Sequence, residues 1–516
     1  MANRSQSSGF SLQPIDRTAL AFTVLLTALI AVLLLSGSHA VPRVRDFSWQ
    51  DRQVSSSDRA FLLSFNRPMN RDSVEQNLEI APPLAGKFSW AGRRMAYTLN
   101  EPAPYGTEFV IQLKGARDRF TEVGERGSMP LFEGKFRTRD RAFVYLGVEG
   151  EEMGRLVLNN LTRQEQTILT PANLVVMDYK PYPEGDRILF SASDRQSVDQ
   201  ALLDQKLYTV TTGIEVGEPP QSPLEPNRRR RSREAQPGGI VEQVLDSDDY
   251  QNLKFELSND GETIVVQRVE RNNPAEFGLW MLQEGEQPRP IETEPGGDFL
   301  IAPDSTTLAM AQGQGMAILP LEDKAEPLDF LPRFGTVLSF APDGSAAAMV
   351  RFNEEPQNPT RSLFLVTNQG TEQELLETNG AFLSAQFDAT RSLLYVLVTE
   401  RLPVQEYIEQ PYLVAVNLRS TSQPPLAKTL LKLPIQRDIQ MSLAPDGLGI
   451  LFDQAVPAET DLANPTETPI IIGTDGRAIA TSRLWVLPLT KDADGNPTPN
   501  TPQQLPLAGI RPRWLP

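Results

Sequence analysis

The chain has 516 residues, with 49 Lys and Arg against 66 Asp and Glu, a net charge of −17 and 40% hydrophobic residues. That apolar content supports packed cores, and the acidic balance opposes generic binding to phosphate backbones. Cysteine is absent and His39 is the single histidine, which removes disulfides, thiolate chemistry, Cys-based zinc sites and any Ser-His-Asp triad.

Residues 1–17 form an N-terminal tail. From Thr18 to Ser38 there is no charged residue, and the length matches the ~20 residues that cross a bilayer as a helix. Ser38-His39-Ala40 resembles a small-x-small cleavage site, but the apolar stretch exceeds the roughly 7–15 residues usual in a signal peptide. The segment 18–38 is read as an uncleaved signal anchor, with cleavage after Ala40 as the alternative. Arg4 and Arg17 precede it while Arg43, Arg45 and Arg52 follow, so charge bias does not orient it. By analogy with other N-terminally anchored β-domains, the body is placed on the periplasmic side of the inner membrane.

Residues 44–139 read as a β-sandwich. Alternating strands fall at Ala60–Phe65, Gly86–Trp90, Arg94–Leu99 and Glu108–Leu113, and Val74–Asn77 reads as one helical turn. Phe65, Trp90, Tyr97 and Phe109 are expected in its core. The segment resembles the bacterial Ig-like domain of SbsA-type S-layer proteins. The matching residues are Phe65-Asn66-Arg67-Pro68-Met69-Asn70, Asn77-Leu78-Glu79-Ile80 before Pro82-Pro83, Pro104-Tyr105-Gly106-Thr107 and Phe136-Arg137-Thr138. The family usually carries an Asp-x-x-Gly-Asn turn, where this chain has Asp118-Arg119-Phe120-Thr121. The resemblance implies a spacer or adhesion module of the cell envelope.

Residues 141–516 repeat one phrase: an apolar run, a Pro-Asp-Gly-like turn, a second apolar run. Its copies are Tyr182-Pro183-Glu184-Gly185, Ser258-Asn259-Asp260-Gly261, Ala302-Pro303-Asp304-Ser305, Ala341-Pro342-Asp343-Gly344, Phe387-Asp388-Ala389-Thr390 and Ala444-Pro445-Asp446-Gly447. Each is expected to be a tight hairpin, since Asp bonds its own backbone and Gly accepts positive φ. Such a repeat marks a β-propeller. Six hairpins lie within the chain. A seventh blade is expected from Gly509–Pro516 joined to Phe143–Gly147 and Gly154–Leu158, which would shut the ring. The expected fold is all-β: a transmembrane helix, an Ig-like sandwich and a seven-bladed propeller closed by C-terminal and N-terminal strands. The repeats resemble the TolB-like and WD40-like propellers of the bacterial envelope, a likeness that implies a partner within an envelope complex.

Between the repeats, the Pro-rich insertion 217–239 carries Arg228, Arg229, Arg230, Arg231 and Arg233. These are the candidate partner-binding residues, for an acidic protein or an anionic polymer or headgroup; the alternative is a solvated, disordered insertion. Asp492-Ala493-Asp494-Gly495-Asn496 has part of a calcium-loop pattern but reads better as a turn. Residues 460–481 read as a flap or a long connection, and Gly313-Gln314-Gly315 as a tight turn. The acidic pairs Glu151-Glu152, Asp248-Asp249 and Glu354-Glu355 receive no catalytic assignment. No catalytic, cofactor or metal residue is expected. The sequence points to a non-catalytic membrane-anchored scaffold binding an envelope protein or cell-wall glycan. The alternative is a carboxylate-dependent glycan hydrolase or lyase, or a calcium-dependent phosphate hydrolase, working in the propeller funnel. A peptidase appendage is a weaker third reading.

Overall fold

In the computed structural model, residues 14–35, 41–119, 128–196, 204–217, 236–323, 326–353, 359–420, 425–436, 438–457, 479–492 and 495–516 are described. Helix α1 spans Pro14–Leu35, with proline in its first turn, where the missing N–H costs no helical bond. It therefore starts before and stops short of the expected 18–38. Its large apolar side chains are exposed, Phe22 at 67% and Leu25 at 62%. Among the described residues no helix is long and apolar enough to cross a membrane.

Eight strands follow: β1 (Val44–Phe47), β2 (Gln53–Val54), β3 (Ala60–Phe65), β4 (Leu78–Ala81), β5 (Gly86–Ala91), β6 (Arg94–Leu99), β7 (Glu108–Leu113) and β8 (Phe132–Thr138). They form two four-stranded sheets, ordered β1-β3-β6-β5 and β2-β8-β7-β4. Period-two patterning explains the packing. β3 turns Phe61, Leu63 and Phe65 inward and leaves Ala60, Leu62 and Ser64 outward. The inward side chains share one core with Trp49, Phe109 and Phe136, and Phe109 stacks on Phe136 at 5.0 Å. Trp90 packs at the margin of that core, stacked on Phe65 at 6.0 Å, and its Nε1 donates to Glu75 Oε1 at 2.8 Å. Helix α2 (Arg71–Asn77) starts earlier than the expected turn because Asn70 Oδ1 accepts from Ser73 N at 2.9 Å.

From Ala142 onward the described strands form seven successive sheets, here I to VII. In sheets II to VII the first strand lies innermost and later strands follow outward. The first strands are Leu174–Pro181, Tyr250–Leu257, Phe299–Ile301, Phe334–Phe340, Phe382–Phe387 and Met441–Leu443. Sheet I differs: Ala142–Gly147 takes the C-terminal strand Gly509–Trp514 as its inner neighbour. Each sheet shares an apolar core with the next, and Phe143, Tyr145 and Trp514 of sheet I share one with Ala444, Leu451 and Leu484 of sheet VII. The sheets therefore succeed one another as the blades of a β-propeller do, and among the described residues the C-terminal and N-terminal strands meet at a seam inside sheet I.

All six hairpin turns close with the same backbone bond, for example Gly185 N to Tyr182 O at 2.8 Å and Gly447 N to Ala444 O at 2.8 Å. Each places one residue at positive φ: Gly185, Gly261, Ser305, Gly344, Arg391 and Gly447. The fifth turn is therefore Asp388–Arg391, one residue later than the sequence suggests. Asp388 starts it because its Oδ1 accepts from both Ser392 N and Leu393 N.

Candidate binding cleft between the sandwich and the ring

A propeller has two faces. Here the hairpin turns define one of them, and the sandwich sits on it. The linker fixes that seat. Arg139, 8% exposed, donates to Pro183 O at 2.9 Å, Pro516 O at 3.0 Å and Glu184 Oε2 at 2.6 Å. Tyr105 N donates to Asp446 Oδ2 at 3.1 Å, Lys491 Nζ to Glu101 Oε2 at 2.8 Å, and Arg59 Nη1 to Ala389 O at 3.2 Å. These attachments reach sheets I, II, VI and VII. Opposite sheets IV and V the two domains part.

The space between is a cleft of about 1960 Å³. One wall is the outer face of β1, β3 and β6, with the small or short residues Ala60, Ser64, Ala96 and Thr98. The other wall is the turn ends of sheets IV and V, around Asp304 and Asp343, running down between the two sheets to Ala309, Ile318, Leu331, Ala347, Met349 and Val366.

Equivalent hairpin positions show how each sheet packs on the next. Four residues past each positive-φ residue, a side chain faces the next sheet; three past, one faces the previous sheet. Those facing pairs are Leu189 with Ile264, Val265 with Leu308, Ala348 with Leu394, and Tyr395 with Ile450. Between sheets IV and V the pair is Ala309 with Ala347. Every other pair supplies at least one large side chain, whereas this one supplies two methyl groups. Both methyl groups are buried all the same, in a core completed by Phe334, Met349 and Phe364.

Two of the cleft carboxylates, Asp304 and Asp343, are held as ions. Burial pushes Asp304 up, but hydrogen bonds from Thr306 N and from the Thr307 N–H and hydroxyl outweigh it and hold the carboxyl below its ordinary range. For Asp343, burial is likewise outweighed by the Ser345 hydroxyl and N–H and by Arg391. Asp58 Oδ2 accepts from Ser55 N at 2.8 Å. General-acid work needs a raised pKa. Asp304 and Asp343 are shifted the opposite way.

The centre of the ring carries a second polar constellation. Arg513 lies 3.9 Å from Asp178, Lys180 2.6 Å from Glu256 and Lys254 3.8 Å from Glu256, and Lys254 also pairs with Asp298. These pairs lace together the inner strands of sheets I to III and the approach to sheet IV. At the seam, Asp453 is buried, with Gln440 N donating to Oδ1 at 2.7 Å and Arg511 N to Oδ2 at 2.7 Å. Burial pushes its carboxyl up to about 7, against those two backbone bonds and with help from nearby Asp438. It joins the inner strand of sheet I to sheet VII.

Arg228, Arg229, Arg230, Arg231 and Arg233 lie outside the described residues. The flanks of their insertion sit on the turn face, Gly217 N donating to Gln53 Oε1 at 2.7 Å and Thr211 Oγ1 to Pro237 O at 2.6 Å. Residues 458–478 and the pair Glu354-Glu355 are likewise outside. Asn496 N donates to Asp492 Oδ1 at 2.8 Å and Gly495 has φ 80°, the geometry of a turn. Gly313 (φ 53°) closes a tight hairpin. Glu152 Oε2 accepts from the Tyr145 hydroxyl at 2.9 Å. Asp118 is buried and pairs with Arg67 at 3.0 Å. Among the described residues no group of three His, Asp or Glu is placed to hold a metal ion. Sequence reading missed the alanine pair, although aligning the six hairpins would have displayed it.

No family model and no curated protein matches the chain. Among solved structures it is similar to TolB from Acinetobacter baumannii, at 8% identity and TM-score 0.37 over 85% of this chain and 83% of that one. It is also similar to an oligogalacturonate lyase from Vibrio parahaemolyticus, at 14% identity and TM-score 0.41 over 61% of this chain and 87% of that one. Likeness at this level bears on no residue's role.

Proposed function

We propose that this chain is a non-catalytic scaffold of the bacterial cell envelope: an N-terminal membrane anchor, an Ig-like spacer and a seven-bladed propeller that binds a protein or glycan partner. One observation carries the reading. The sandwich is pinned to one side of the turn face and stands off the other, leaving a cleft walled by both domains and by acids kept ionised. The attachments through Arg139, Tyr105 and Lys491 fix its shape in advance, which lowers the entropic cost of binding. The anchor is supported by the uncharged stretch 18–38 and by the apolar side chains that α1 leaves exposed, which lipid would cover. Its β-domains stand on the periplasmic side.

Photo-crosslinking from Ser64 or Thr98 in intact membranes, read by mass spectrometry, tests the scaffold. One defined partner is expected from both positions, and no crosslinked species above background would sink the reading. Protease accessibility in spheroplasts tests sidedness: a body resistant in spheroplasts and cleaved only after lysis would reverse the placement. The funnel-enzyme alternative needs free carboxylates at the ring centre, where Asp178, Glu256 and Asp298 are each engaged by Arg or Lys.

A further inference from the structure

The sandwich has a basic end, remote from its seat on the ring. Strands β3, β6, β7 and β8 meet the ring through residues just beyond one end of each, Arg59, Glu101, Tyr105 and Arg139. Their other ends gather around the segment Asn66–Ser73. On one side of it, Asn66 Oδ1 accepts from Arg43 N at 2.9 Å and Asn66 O from Arg93 Nη1 at 3.2 Å. On the other, Asn70 N donates to Arg117 O at 2.9 Å and Arg119 N to Pro68 O at 3.0 Å. Arg71 opens helix α2 between them, and Lys114 follows β7. Arg43, Arg71, Arg93, Lys114, Arg117 and Arg119 are all exposed, and among the described residues none pairs with a carboxylate. The acids interspersed with them are Asp118, buried against Arg67 at 3.0 Å, Glu75, which accepts from Trp90 Nε1, and the exposed Asp72. In a chain of net charge −17 the sign is reversed here.

We propose that this basic end docks on the anionic phospholipid headgroups of the membrane that α1 enters. The inference rests on the anchor reading above and adds the surface that the body presents to lipid. Connectivity selects the occupant. Only residues 36–40 separate α1 from Val41, whose carbonyl accepts from Asn66 Nδ2 at 3.0 Å within the basic end. Fully extended, that link reaches about 20 Å. The arginines, not the ring, therefore lie next to any bilayer that holds α1. A surface of lipid phosphates attracts Lys and Arg within a Debye length, about 8 Å at physiological salt, and the guanidinium fork matches phosphate oxygens. The exposed apolar side chains of Val41 and Leu131 stand at the same end. Bases flanked by apolar residues suit the boundary between headgroups and acyl chains.

The chain has no cysteine, so single labelling sites can be introduced. Pro130→Cys, exposed at the basic end, and Asn272→Cys, exposed on the ring face away from the hairpin turns, each carry a fluorophore. The labelled full chain is reconstituted in phosphatidylcholine vesicles with or without phosphatidylglycerol, doped with a headgroup spin label that quenches nearby dyes. Phosphatidylglycerol is expected to raise quenching of the Pro130→Cys probe about threefold, and added salt to reverse the gain. The Asn272→Cys probe should not respond. Arg43→Gln/Arg71→Gln/Arg117→Gln/Arg119→Gln removes charge from side chains that form no ion pair among the described residues, so it should melt like wild type and lose the gain. Equal quenching in the two lipids, a gain that survives salt or the folded quadruple variant, or an equal gain at Asn272→Cys would overturn the proposal. If that variant does not fold, lipid composition and salt decide on the wild-type surface. A chain that floats with neither vesicle would overturn the anchor and the docking together. Flotation with quenching indifferent to composition would remove only the docking, and protein crosslinks from the Pro130→Cys site would then give the basic end to an acidic partner.

Discussion

Trp514 packs edge-on against Phe143, ring centroids 5.4 Å apart, and Arg141 lies over the same indole at 5.5 Å. One ring thus joins the last strand of the chain to the first strand of sheet I and to the linker from the sandwich. Trp514→Ala should remove about 3–5 kcal/mol by leaving a cavity at the seam. Chemical denaturation of the body measures this, and a loss below 1 kcal/mol would show that the seam is held elsewhere.

Asp453 makes the seam sensitive to pH. Its folded pKa of about 7 stands above the ordinary 3.8, so between those values the folded state binds the extra proton. Stability should therefore fall as pH rises from about 4 to about 7, and change no further through this group above that. Asp453→Asn should flatten that part of the profile. Thermal midpoints across pH 4 to 8 would check it, and an identical slope in the variant would contradict it.

Glu256 is 5% exposed and stands between Lys180 and Lys254. Glu256→Gln leaves the partly buried Lys180 without its carboxylate while Lys254 keeps Asp298, and such a loss costs about 1–3 kcal/mol. Glu256→Gln with Lys180→Met should recover most of it. A double-mutant cycle by denaturant unfolding gives the coupling, and additive losses would mean the lacing is incidental.

Arg139→Met keeps the apolar stem and removes the three hydrogen bonds to Pro183 O, Pro516 O and Glu184. The ring should stay folded while the sandwich gains freedom. Small-angle scattering should then show a larger radius of gyration, and protease should cut first near Asp140. An unchanged scattering curve would mean the contacts through Tyr105 and Lys491 suffice.

Ala309→Val should destabilise the chain by about 1–3 kcal/mol, by overpacking the core between sheets IV and V, where Ala309 is buried. Thermal unfolding measures this, and an unchanged or higher midpoint would mean that space remains there.

Most of the architecture was written in local signals. An acidic residue in every hairpin, with Gly in four of the six, marked the turns, and alternation along Ala60–Phe65 and Arg94–Leu99 marked the sandwich faces. The fifth turn slipped by one residue because Asp388 acts as its first residue, a choice set by its side-chain bonds to Ser392 and Leu393. The cleft was invisible for another reason. It depends on how Arg139 seats the sandwich on one side of the turn face, through bonds to residues 44 to 377 positions away. That is not a property of any short stretch of sequence. Attention in the sequence fell instead on the arginine run, the loudest local charge.

The strand that completes sheet I is synthesised after the other described strands of the ring. Until Trp514 leaves the ribosome, the strand Ala142–Gly147 presents a bare edge and the ring has an open end. Premature stops anywhere downstream of the sandwich should thus behave alike, yielding sticky half-rings for quality-control proteases instead of graded partial function.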